Sequence, residues 1–140
     1  MVSADRWAVD TSVAVAALDA GHAAHVPCLA AVREHRPSLA GHAAYELLAV
    51  LTRLPGPLAV DATDAATLID RVFPEAVWLS ARASGALRPR LATTGIVGGA
   101  VYDALVGEAA RANERRLLTR DLRARRTYDL LGVDYQVVGF

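Results

Sequence analysis

Asp10, Glu46, Asp103 and Asp121 stand in contexts that otherwise read as protein interior: Ala-Val-Asp-Thr-Ser, Ala-Tyr-Glu-Leu-Leu, Val-Tyr-Asp-Ala-Leu and Leu-Thr-Arg-Asp-Leu. Carboxylates are almost never fully buried without compensation. Crowded together, they cannot all stay ionised near neutral pH unless a cation joins them. Gathered by a fold, the four would make an oxygen-only site suited to a hard divalent ion, Mg²⁺ or Mn²⁺. Zinc sites, by contrast, usually include Cys or His. His22 and His25 are followed by no Cys or further His at zinc spacing, and read as surface or core residues.

Each acid alone has a plainer reading. Asp10 could simply cap the helix that begins near Thr11, and Asp121 could cap the next helix after Thr119. Glu46 could pair with a surface arginine, and Asp103 could be an ordinary exposed helix residue. The joint pattern shifts the balance towards a metal site.

The elements that would position these groups follow from periodicity and punctuation. Trp7-Ala8-Val9 is a short apolar run ending at Asp10, with Thr11 and Ser12 as N-cap candidates for a helix over Val13–Leu18. Helices are expected over His25–His35, over Ala43–Leu54 with a stop at Pro55-Gly56-Pro57, and over Thr63–Phe73 capped by Asp61 or Thr63. Further helices are expected over Ala83–Leu91, Ala100–Asn113 and Leu122–Leu131, with Thr93–Gly99 as loop. Pro37–Ala40, Leu117–Thr119 and Tyr135–Val138 read as strands. Strands alternating with helices imply a parallel sheet covered on both faces. Ligands bind outside the carboxyl ends of such strands, where Asp10 and Asp121 both fall. Glu46 and Asp103 lie within helices, off the apolar stripes; His42 is one turn before Glu46. Gly107 shares the Asp103 stripe. A mid-helix glycine costs about 1 kcal/mol relative to alanine, so it is expected to make room for an ion, a water or a neighbouring backbone.

Composition narrows the function classes. The chain has 140 residues, of which 54% are apolar and 21% charged, which fits one compact domain over 1–140 rather than disorder. Arginine supplies all fifteen basic charges, so a phosphate loop needing lysine and any Schiff-base chemistry are excluded. The net charge is zero, but seven arginines fall between Arg111 and Arg126, either as a solvated helical face or as a phosphate-contacting patch. The single Cys28 permits no intrachain disulfide. The apolar run Val13–Leu18 is too short for a membrane span and lacks the basic start of a signal peptide, so a cytoplasmic protein is expected.

The ordered set of segments resembles the PIN-domain nucleases, and in particular the VapC toxins of toxin–antitoxin pairs. Carrying the resemblance are Val9-Asp10-Thr11-Ser12, Tyr45-Glu46-Leu47-Leu48 continuing to Leu51-Thr52-Arg53, Val101-Tyr102-Asp103-Ala104-Leu105-Val106, Leu117-Leu118-Thr119-Arg120-Asp121, and the closing Tyr128–Val133. The resemblance implies a single PIN-like α/β domain and an Mg²⁺- or Mn²⁺-dependent endoribonuclease that hydrolyses tRNA or another structured RNA. Asp10, Glu46, Asp103 and Asp121 would be the catalytic and metal-holding acids, with Ser12 and Thr119 supporting them. It further implies a homodimer held inactive by a VapB-like antitoxin. Arg120, Arg123, Arg125 and Arg126 follow the last acid; in a helix's first turn they oppose its dipole, so contact with the RNA backbone is the expected reason for them.

Two rivals remain. A phosphoaspartyl enzyme would want a second Asp where Ser12 stands, and a lysine. A non-catalytic module whose acidic crevice grips a basic partner is the alternative to the nuclease.

Overall fold

The computed structural model describes residues 6–56 and 60–140. Five short parallel strands are β1 (Trp7–Val9), β2 (Ser38–Ala40), β3 (Ala76–Val77), β4 (Arg116–Thr119) and β5 (Tyr135–Val137), in the spatial order β3-β2-β1-β4-β5. Among the described residues seven helices connect them: α1 (Thr11–Leu18), α2 (His25–His35), α3 (Ala43–Thr52), α4 (Ala62–Val72), α5 (Ala81–Thr94), α6 (Ala100–Ala112) and α7 (Arg125–Leu131).

The strands alternate between two cores, as a sheet buried on both sides must. Trp7, Val9, Leu39 and Leu118 point to the side covered by α1 to α4, where they meet Val13, Cys28, Leu47, Leu51 and Ile69. Ala8, Ala40 and Leu117 point to the side covered by α5 to α7, against Leu87, Leu91, Ala104, Val106 and Tyr128. Leu47, Leu51, Leu117 and Leu118 are essentially inaccessible to solvent. Each contributes about 1.5–3 kcal/mol by burial.

Sheet order matters most for the site. From β1 the chain steps outward through β2 and β3, then returns to the other flank of β1 for β4 and β5. The reversal opens a crevice at the carboxyl ends of β1 and β4, paired with Val9 opposite Leu118. Asp10 is the next residue on one strand, and Thr119 to Asp121 lead out of the other.

The proline-broken stretch after Pro74 differs from the expected pattern. It holds β3, whose two residues are too few to show alternation, and a longer α5. Ser80 caps α5 by accepting from the Ala83 amide, and Gly95 ends it in the left-handed conformation (φ 73°). Thr93 and Thr94, expected as loop, are its last turn; their hydroxyls donate to the carbonyls of Pro89 and Arg90. At the other end, Leu122–Ala124 form a turn before α7 rather than its first residues. The Asp121 carboxylate accepts from the Arg123 amide and its carbonyl accepts from Ala124, which holds that turn. α3 stops at Thr52; Pro57 of the expected stop lies outside the described residues.

Candidate active site

Four separate elements deliver the four acids to one place. Asp10, Glu46, Asp103 and Asp121 line a single pocket of ≈ 60 Å³, together with Thr11, Ser12, Val106 and Tyr128. A cavity needs about 10–15 Å³ of such space to admit one water. There is room for an ion and a few waters, but not for a nucleoside.

Asp10 is both a site acid and the N-cap of α1, so its two readings are one. Its Oδ1 accepts from the Ser12 hydroxyl at 2.5 Å and from the Val13 amide at 3.3 Å, and its Oδ2 accepts from the Tyr128 hydroxyl at 3.1 Å. Burial raises its pKa above the ordinary carboxylate range, against hydrogen bonds from Ser12, Thr119, Val13 and Tyr128 that favour the charged form. Ser12 also accepts the Arg120 amide at 3.0 Å, and the Thr119 hydroxyl accepts the Asp121 amide at 3.1 Å. The Ser12 bond ties the β1 end to the β4 end, and the Thr119 bond holds the turn that leads out of β4.

Asp103 shows most directly what the pocket lacks. Its pKa is raised to about 6, first by burial, then by the negative charges of Asp121, Glu46 and Asp10, with Arg123 opposing. Glu46 sits one turn beyond His42, its Oε1 3.6 Å from the imidazole Nε2. Among the described residues no three acidic or imidazole side chains stand in ready ligand geometry for one ion. The acids share a pocket without being drawn together in it.

Two further side chains belong to the site. Thr11 lines the same pocket, and its Oγ1 is buried with no hydrogen-bond partner. An orphaned hydroxyl beside an oxygen-only donor set fits a hard, hydrated cation. Tyr128 is buried, and burial followed by the charge of Asp10 lifts its pKa well above the usual phenol value. It therefore stays a neutral donor to Asp10. The signal for it lay in Gly107, expected to admit an ion, water or backbone. A Cβ there would meet the Tyr128 Cδ1 at 2.8 Å and the Val133 Cγ2 at 3.0 Å. The glycine makes room for a ring, and the ring reaches the acid.

The arginine-rich stretch divides by role. Arg111 pairs with Glu108, Arg115 donates to the Trp7 carbonyl, and Arg116 pairs with Asp134 while lying over the Trp7 ring. Arg120, expected at the RNA backbone, instead holds its guanidinium 5.2 Å from the centre of the Phe140 ring, with Nε buried and unpartnered. The Arg120 side chain points from the end of β4 towards the chain's C-terminus, because Gly139 leaves space for it. Arg123, Arg125 and Arg126 are exposed, with no ion pair among the described residues.

Residues 8–130 match the PIN domain family. The chain belongs to the PIN-domain family. It is 45% identical over 126 residues to "Ribonuclease VapC27" of Mycobacterium tuberculosis, covering 90% of this chain and 92% of that protein. It is 41% identical over 132 residues to "Ribonuclease VapC40" of the same organism, covering 94% and 98%. Both mark this PIN domain as VapC-type. The fold also resembles the crystal structure of VapBC2 from Rickettsia felis bound to a DNA fragment from their promoter. That likeness has a TM-score of 0.64 and 17% identity, and covers 94% of this chain and 98% of that one. No helix among the described residues is long and apolar enough to cross a membrane.

Proposed function

We propose that this PIN domain is an endoribonuclease, the toxin of a type II toxin–antitoxin pair, and that it requires Mg²⁺ or Mn²⁺. The carrying observation is the pocket that Asp10, Glu46, Asp103 and Asp121 all line, with the pKa of Asp103 raised to about 6 by burial and by its acidic neighbours. Such a site is left short of positive charge. Similarity to two proteins named ribonucleases supports RNA as the substrate class, and a tRNA or another structured RNA is the target we infer.

Asp10, Asp103 and Asp121 would hold the ion. When bound, a hard divalent cation neutralises the converging charges and makes a water easier to deprotonate. The chain's own residues do the rest. Ser12, Thr119 and Tyr128 orient Asp10, and the Glu46 carboxylate at the pocket rim positions the attacking water. Water adds to phosphorus, the bond to the 3′ oxygen breaks, and that oxygen takes the proton, leaving a 5′ phosphate. Arg123, whose charge acts on Asp103, and the exposed Arg125 and Arg126 would supply the positive charge a phosphate backbone needs. A homodimer restrained by a small VapB-like antitoxin, acting in the cytoplasm, completes the proposal.

The second reading, an acidic crevice that grips a basic partner without catalysis, is favoured by Asp10, both of whose oxygens already accept hydrogen bonds. Thermal unfolding with Mn²⁺ separates the two. A cation that binds the fold raises its stability as ln(1 + [L]/Kd). No upward shift at millimolar Mn²⁺, with no cleavage of total RNA, sinks the nuclease.

A further inference from the structure

The acid pocket has room for ions and waters only, so the nucleotides flanking the cleaved bond must lie on neighbouring surface. That surface differs on its two sides. Towards α7 it carries the exposed Arg123, Arg125 and Arg126. Towards α3 and α6 it carries aromatic side chains. Tyr45 and Tyr102 each directly precede a site acid and are 65% and 54% exposed; Trp78, after β3, is 49% exposed. The Tyr102 ring stacks on His42 with centroids 5.2 Å apart and planes at 20°, and Tyr45 meets Trp78 at 5.7 Å.

Three of these rings, His42, Tyr45 and Trp78, line a second pocket of ≈ 240 Å³ together with Gly41, Ser84 and Leu105, among others. His42 is a wall of this pocket and also touches Glu46, which lines the first, so the two share a boundary. The opening depends on Gly41, whose left-handed φ of +48° disfavours side chains and where a Cβ would come within 3.0 Å of the Ala109 Cβ. Trp78 is held at the rim through its carbonyl, which accepts from the Asn113 side chain at 3.0 Å.

We propose that this pocket is a base-binding subsite, taking one unstacked nucleobase of single-stranded RNA beside the cleaved phosphodiester. The proposal rests on the nuclease reading and adds where the substrate's base goes. Single-stranded RNA is recognised by bases splayed onto aromatic side chains, and His42 and Ser84 offer hydrogen-bonding edges. Phosphates to the arginine side and a base to the aromatic side give the substrate a direction across the site.

Trp7 is buried and Trp78 exposed, so a Trp7→Phe background leaves Trp78 as the sole reporter. In a Trp7→Phe/Asp103→Asn protein with Mg²⁺, a pentamer of riboadenosine should quench Trp78 emission saturably, and the same pentamer with abasic positions should not. In otherwise unaltered protein, Trp78→Ala should raise KM for a short RNA roughly tenfold, with a smaller change in kcat. Equal quenching by the abasic backbone, or an unchanged KM, overturns the subsite. So does a Trp78→Ala variant that halves the mass in light scattering while RNA affinity stands, which would give the pocket to a second copy of the chain. Failure of the parent protein to cleave any RNA is a different result: it removes the nuclease, whereas the quenching reads base binding without cleavage.

Discussion

Asp103 and Glu108 lie five residues apart on α6, and their surroundings push them in opposite directions. Asp103 faces three other acids, and burial with that repulsion raises its pKa to about 6. Glu108 is almost wholly buried, yet its pKa is lowered: burial acts upward, and hydrogen bonds and charge from Arg111 and Arg90 outweigh it. The Glu108 carboxylate takes Arg111 through both oxygens and Arg90 from α5, so it clamps two helices and is internally neutralised. Burial alone therefore says little about an acid's role. A carboxylate given cations by its own chain is a structural clamp; one whose neighbours are mostly carboxylates suits the outside cation we propose.

The largest break in this comparison is catalytic. Asp103→Asn should lower single-turnover RNA cleavage by at least about a hundredfold with the circular dichroism spectrum unchanged, whereas Glu108→Gln should leave the rate per folded molecule near that of the parent. A fully active Asp103→Asn protein would falsify the catalytic assignment. Next is stability. Glu108→Ala strands two arginines that are partly solvated, and should cost about 2 kcal/mol, seen as a melting temperature lower by roughly 5 °C. A drop of under a degree would mean the clamp is decorative.

Metal should sharpen the contrast. At about a hundred times its Kd, Mn²⁺ adds about 2.7 kcal/mol to the stability of the fold. That upward shift should survive in Glu108→Gln and largely vanish in Asp103→Asn; equal shifts in both would place the ion elsewhere.

The smallest effect is a pH dependence in metal-free protein, and its sign differs between the two acids. Well below 3.8 Asp103 is protonated whether the chain is folded or not, so it has no influence. Between 3.8, its ordinary value, and about 6 the unfolded chain releases the proton while the fold retains it, and stability is lost. Asp103→Asn escapes that loss, so its advantage in urea midpoint should open across this window and level off above it. Glu108 runs the other way. Its contribution is present above 4.5, its ordinary value, and disappears as pH falls through the lower folded one. An Asp103→Asn advantage that is constant from pH 4 to 8 would show that repulsion among the acids is not its source.

Where sequence reading failed, the missing information was long-range or very short. β3 is two residues among prolines, below the length at which alternation can be seen. α5 runs through Pro89 to Thr94, despite the composition, with Ser80 capping its start, left-handed Gly95 ending it, and the Thr93 and Thr94 hydroxyls donating to the carbonyls of Pro89 and Arg90 one turn back. Gly107 marked a close approach correctly, but which group approaches depends on α7 folding back across α6. Arg120 read as part of a basic patch because its neighbours do; only the tertiary fold sets Phe140 and Gly139 beside it.

By itself, the order of residues determined the layered α/β plan and the four acids worth watching, because apolar periodicity and charge in an apolar setting are local properties. Which acids share a pocket, which are neutralised by arginine, and which aromatic rings stand beside the site were decided only in three dimensions. Coulombic and desolvation energies depend on distances through space, and the reversal of strand order beside β1 sets those distances between segments more than a hundred residues apart.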